Sequence, residues 1–143
     1  MNTRAHQLAQ FVVYESPLQV ACDSPYNYRI SPAGTEFLQV VPTVWDDTHV
    51  IDGFPGEFIV IARQHEQEWF LGGLNNETQK SIDIPLNFLG NGTFKVKIFA
   101  DAYEAADYPD RLNIYEKTID AQDTLKIDMA GSGGVAIQFL KFD

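Results

Sequence analysis

Two apolar runs separated by a short polar link do most to restrict what this chain can fold into. Phe58-Ile-Val-Ile-Ala62 is continuously apolar and rich in β-branched residues, and Arg63 closes it. Trp69-Phe-Leu-Gly-Gly-Leu74 is aromatic and apolar, and the connection Gln64-His-Glu-Gln-Glu68 between the two is of hairpin length. Runs of this kind, bounded by polar turns, read as adjacent antiparallel strands at the centre of a sheet. Ile82, Ile84 and Leu86 then alternate with Ser81 and Asp83, which gives a third strand with one wet face. The core therefore belongs to a β domain. It carries no chemistry of its own.

At 143 residues the chain is one domain of ordinary size, able to bury roughly two thirds of its unfolded surface without covalent staples. A hydrophobic content of 45% with 13% aromatics excludes disorder. The net charge of −10 argues against a nucleic-acid partner, because no Lys/Arg cluster offsets the repulsion from phosphates. It argues equally against an anionic membrane surface. Cys22 is the single cysteine, which permits neither an internal disulfide nor a cysteine-based zinc site, and it reads as a buried apolar residue. No run reaches the length of a membrane span. The opening Met-Asn-Thr-Arg-Ala-His lacks the order of a signal peptide.

The chain changes character near residue 44. Residues 3 to 15 read as a helix, with Ala5, Leu8, Ala9 and Val12 at helical spacing and Asn2 or Thr3 as cap. Phe11, Val13 and Tyr14 add apolar surface on its other faces. A helix apolar most of the way round is expected to be buried most of the way round, and one small sandwich covers only one side. Either a partner chain covers the rest, or the helix belongs to a larger protein. Ser16-Pro17 interrupts it, and a short second helical piece is expected through Leu18, Val20 and Ala21. Asp23 to Gly34, with its prolines, Asn27, serines and glycine, reads as a loop. Thr35 to Val41 reads as a short helix capped by Thr35 and ended before Pro42.

From Trp45 onward eight short strands follow: Thr48–Ile51, Phe58–Arg63, Trp69–Asn75, Lys80–Leu86, the alternation Phe94, Val96, Ile98, then Asn113–Ile119, Leu125–Met129 and Val135–Phe142. Asn91-Gly92 and Gly131-Ser-Gly-Gly134 supply turns, and the regular spacing points to a two-sheet sandwich or a barrel.

Candidate chemistry is thin. Twenty carboxylates raise the question of a glycosidase pair. The adjacent Asp46 and Asp47 would point to opposite faces of a strand and better suit turn or cap duty. Asp101, Glu104, Asp107 and Asp110 form an acidic stretch without the glycine and terminal glutamate of a calcium loop. His6, His49 and His65 share no metal or triad spacing. Trp45, Tyr26, Tyr28 and Phe54 are candidates for stacking on sugars, whereas Trp69 reads as core. Asn76-Glu-Thr78 and Asn91-Gly-Thr93 match a glycosylation pattern and read as turns.

Three stretches, taken in order, carry a resemblance. Gln7-Leu-Ala-Gln-Phe-Val-Val-Tyr-Glu-Ser-Pro-Leu-Gln19, then Asp23-Ser-Pro-Tyr-Asn-Tyr28, then Val41-Pro-Thr-Val-Trp-Asp-Asp-Thr48 resemble the end of glycoside hydrolase family 97. Gly56-Glu-Phe-Ile-Val-Ile-Ala-Arg63, Trp69-Phe-Leu-Gly-Gly73, Phe99-Ala-Asp101 and a glycine-rich last strand extend it over essentially the whole chain; Ala102 stands where glycine is expected. The resemblance implies that residues 1–43 are a helical segment and linker, the remnant of the last helix of a (β/α)8 barrel. Residues 44–143 would then form a C-terminal antiparallel β-sandwich. The complete enzymes of the family hydrolyse α-glucosides or α-galactosides with calcium in the site, and are typically periplasmic or exported. Their catalytic and calcium-binding residues lie in the barrel, so none is carried onto this chain. The expectation is therefore a structural domain that oligomerises or packs on the missing barrel, with no catalysis and no cofactor of its own. A carbohydrate-binding module is the alternative. Contacts to sugar or to another subunit are expected at Trp45, Tyr26, Tyr28, Phe11 and Tyr14, with Val40, Val41 and Val44 as further apolar contacts.

Overall fold

The computed structural model describes residues 1–142. Helix α1 (Arg4–Val13) is followed by two short helices, α2 (Pro25–Ile30) and α3 (Thr35–Leu38). Eight strands come next: β1 (Asp47–Phe54), β2 (Phe58–His65), β3 (Glu68–Asn75), β4 (Lys80–Pro85), β5 (Thr93–Asp101), β6 (Leu112–Asp120), β7 (Thr124–Met129) and β8 (Gly134–Lys141). Six of them form one antiparallel sheet in the order β1-β2-β3-β8-β5-β6, and β4 pairs with β7 in a second, two-stranded sheet. The protein is thus mainly β, an antiparallel sandwich preceded by a helical segment. The runs Phe58–Ala62 and Trp69–Leu74 lie on the neighbouring strands β2 and β3.

Alternation along the strands builds two layers of core. Val60, Ala62, Leu71, Val96, Ile98, Ile137 and Phe139 face the β4–β7 ribbon, whose Ile82, Ile84, Leu125 and Ile127 cover them. Their neighbours Ile61, Phe70, Leu74, Phe99 and Ala136 point the other way, toward α1. A sheet with both faces apolar needs a cover on each side. The ribbon supplies one and the helix the other.

The seat of the helix is written in one cross-strand row. Ile61, Gly72, Ala136, Phe99 and Ile114 lie opposite one another on β2, β3, β8, β5 and β6. The two small residues sit in the middle, so the row is a trough with large walls. A methyl group on Gly72 would meet the carbonyl oxygen of Ala9 at 2.7 Å, and one on Gly134 would meet the Cα of His6 at 2.7 Å. Helix and sheet backbones therefore touch at these glycines. Ala5, His6, Leu8, Ala9, Val12 and Val13 are buried there. The sheet covers one side of the helix, and only Phe11 (half-buried) and Tyr14 (exposed) are left over, so α1 needs less further cover than its composition suggests.

Four local expectations are corrected. Leu18, Val20 and Ala21 form no helix, and Leu18 and Val20 are exposed. Asp23 to Gly34 is not all loop: Ser24 caps α2, accepting from the Asn27 amide at 3.3 Å, with Pro25 in the first turn. That is the ordinary chemistry of a helix start, a hydroxyl acceptor followed by a residue with no amide to satisfy. The cap of α3 is Gly34 rather than Thr35, whose hydroxyl instead donates to the Pro32 carbonyl at 2.7 Å. Cys22 is exposed, not buried, because the segment around it lies over the surface rather than in either core.

Candidate interaction surface

The last four carbonyls of a helix have no partner within it and must find one elsewhere. In α1 each of them does. The Gln10 carbonyl accepts from the Tyr14 amide at 2.9 Å. The Phe11 carbonyl accepts from Gln19 Nε2 at 2.9 Å. Arg63 reaches up from β2 and donates through Nε to the Val12 carbonyl at 2.7 Å and through Nη2 to the Val13 carbonyl at 3.3 Å. Its Nη1 donates to Thr48 Oγ1 at 2.8 Å and lies 3.5 Å from the exposed Glu15 carboxylate. A buried guanidinium at a helix C-terminus meets both the orphan carbonyls and the negative end of the dipole. At the other end, Thr3 Oγ1 accepts from the His6 amide at 3.1 Å, and His6 Nδ1 donates to the Gly133 carbonyl at 2.9 Å. Arg63 closes the apolar run, as the sequence suggests, but the strand itself continues to His65. The cap role of Arg63 is visible only once β2 and α1 are brought together.

Two grooves flank the docked helix. The first, of about 760 Å³, is lined by Phe11, Tyr28, Val20, Ile30 and Leu38, with Arg4 and Asn27 at its polar margin. The second, of about 780 Å³, is more open and lies between Tyr14 and the end of β1, with Val50, Phe54, Ile59 and Leu74 in its walls. The sequence candidates are therefore divided. Phe11 and Tyr28 share the first groove, and Tyr14 belongs to the second. Tyr26 is exposed on α2. Trp45 is half-buried, edge-on to Phe70 with ring centroids 5.7 Å apart, in a cluster that also takes Leu38 and Val41. Its ring packs at the core margin and does not line the groove that takes Tyr28. Val40 and Val44 are exposed. Trp69 is core, as expected.

Three of the carboxylates singled out by the sequence, Asp46, Asp47 and Asp101, serve the backbone. Asp46 Oδ2 accepts from the Glu66 amide at 2.6 Å. Asp47 accepts from the Thr48 amide and pairs with His49 Nε2 at 3.0 Å. The His49 bond, followed by that amide, holds the Asp47 carboxyl below the usual carboxylate range. A bond from Lys95 does the same for Glu116. Asp101 Oδ2 accepts from the amides of Ala130 and Gly134, both at 2.9 Å, and so shapes the turn on which the start of α1 rests. Glu104 lies 3.8 Å from Arg111. Among the described residues no group of three or more His, Cys, Asp or Glu side chains is arranged to hold a metal.

Fold and surface together define a β-sandwich domain with a helix docked on its larger sheet and a groove on either side of that helix. Residues 44–140 match the family model described as glycosyl-hydrolase 97 C-terminal, oligomerisation. The chain is 36% identical over 96% of its length to the retaining alpha-galactosidase of Bacteroides thetaiotaomicron, of which it covers 21%. It is 33% identical over 92% of its length to a probable retaining alpha-galactosidase of Streptomyces bingchenggensis, of which it covers 20%. A family 97 enzyme of Pseudoalteromonas sp. strain K8, solved with acarbose, superposes at a TM-score of 0.94 with 37% identity, over 99% of this chain and 23% of that one. The chain belongs to glycoside hydrolase family 97, as its C-terminal, oligomerisation domain. It spans about a fifth of the length of the curated relatives it matches.

Proposed function

We propose that this domain acts without catalysis of its own, as the C-terminal part of a retaining α-glycosidase whose complete chain cleaves α-galactosides or α-glucosides. It holds subunits together and packs on the catalytic barrel. The observation that carries this reading is the use made of its acidic residues. Asp46, Asp47 and Asp101 are occupied by backbone amides, whereas a glycosidase needs two carboxyls facing across an open site. The relatives' named activity belongs to chains about five times as long. Incubating the purified chain with chromogenic α-galactoside and α-glucoside, with and without added calcium, is expected to give no cleavage above the blank. Cleavage that follows the protein through successive columns would overturn the proposal.

A second reading is favoured by one feature, the first groove, where the aromatic rings of Phe11 and Tyr28 adjoin Asn27 and Asp110. Ring faces beside polar groups suit a sugar. A fluorescence titration with oligosaccharides tests it; no shift at millimolar sugar would remove it.

A further inference from the structure

We infer that the second copy in the oligomer docks on the free edge of β1, through Val50, Phe54 and the neighbouring Tyr14. This rests on the reading of the domain as an oligomerising one and says which face does it. The family match covers residues 44–140, and five large apolar side chains are exposed within that span: Val44, Val50, Phe54, Tyr103 and Tyr108. Tyr103 projects alone, and Tyr108 is covered on one side by the Arg111 guanidinium at 4.4 Å. Val50 and Phe54, 68% and 61% exposed, lie on one strand and wall one groove, which Tyr14 extends.

The edges of the sheets differ in the same sense. Sheet edges in monomers are usually guarded by lysine or proline. β6 carries Lys117, β4 carries Lys80 and Pro85, and β7 carries Lys126. β1 has neither residue type, although it is eight residues long and bordered by a partner on one side only; Asp47, Asp52 and a bulge are what guard it. A bulge between Val50 and Asp52 divides it, so side chains rather than a continuous ladder carry the contact. Two copies related by a two-fold axis would present Val50 and Phe54 to each other. With a charge of −10 on each copy, association here is expected to tighten as salt screens the repulsion.

Light scattering of the 143-residue chain across a wide concentration range tests this, with Val50→Asp, Phe54→Asp, Val50→Thr and Leu18→Asp alongside. The expected result is a dimer for the parent, for Val50→Thr and for Leu18→Asp. Either aspartate on β1 should weaken it by about tenfold or more, because the two-fold axis doubles each added charge. Val50→Thr keeps the strand-forming shape, so loss confined to the charged variants separates docking from folding. A dimer indifferent to Val50→Asp and Phe54→Asp would overturn the β1 assignment and leave the oligomerisation reading standing. A parent chain that stays monomeric at every concentration and salt would overturn both.

Discussion

Helices α1 and α2 lie a dozen residues apart in the same N-terminal segment, yet they are held in opposite ways. α1 has ten residues, six of them buried, and a partner for each of its last four carbonyls. α2 has six residues and buries none. A helix that short is marginal in water, since nucleation costs more than a few hydrogen bonds return. The difference lies in the floor beneath them. α1 rests on Gly72, Ala136 and Gly134, which let backbone meet backbone. α2 has its Ser24 cap, the bond from Asn27 Nδ2 to Asp23 Oδ1 at 2.6 Å and, among the described residues, a single side-chain tie to α1, from Arg4 Nη1 to Ser31 Oγ at 2.9 Å. Composition does not separate the two: α2 carries Tyr26, Tyr28 and Ile30, and it is the tertiary floor that α2 lacks. Docking, not helix propensity, makes one a structural element and leaves the other as surface.

The largest effect should come from filling the trough. Gly72→Val places its branch against the Ala9 carbonyl, Val12 and Val13. It should lift α1 from the sheet at a cost of about 3 kcal/mol or more, read by urea denaturation, with amides of residues 5–13 losing hydrogen-exchange protection. An unchanged midpoint would show that the helix is not seated as described. Next comes Arg63→Met. It keeps the apolar stem but leaves the Val12 and Val13 carbonyls without their donors, for about 2 kcal/mol. Arg63→Lys should recover only part of that, because a point charge cannot hold two carbonyls and Thr48 in one fork.

On the α2 side the expectation reverses. Tyr26→Ser and Ile30→Ser should each move stability by no more than about 0.5 kcal/mol; a larger loss in the isolated chain would mean that α2 is covered in solution. The smallest effect belongs to the exposed ion pairs of the sheet. Asp47 and Glu116 titrate below their ordinary range when folded. Their contribution is therefore present above the unfolded pKa and is lost as pH falls through the folded one. Both are fully exposed, so the double variant Asp47→Asn, Glu116→Gln should lower Tm only slightly at neutral pH. It should converge on the parent in strong acid, and high salt should shrink the gap.

Much of this could be read from the chain. The strands were legible because alternation such as Ile82, Ile84, Leu86 is a property of one element, fixed by the two-residue period of its side chains. The start of α1 was legible for the same reason, with Thr3 beside the residues it caps. Ser24-Pro25 carried an equally local signal for α2, masked by the surrounding turn formers. The candidate surface was legible only in part: Phe11, Tyr28 and Tyr14 do line grooves, but which residues share a groove depends on how the segment folds back over α1. Trp45 looked open in sequence because its cover, Phe70, is far away along the chain.

By itself the sequence determined the eight strands, the helix that precedes them, and enough ordered motif to place the chain in its family. Tertiary structure alone decided which strands share a sheet, where α1 sits and what ends it. Periodicity and caps are settled among neighbours a few residues apart. Arg63 and the Val12 carbonyl are 51 residues apart, and the trough needs Gly72 beside Ala136, which only the pairing of β3 with β8 brings about.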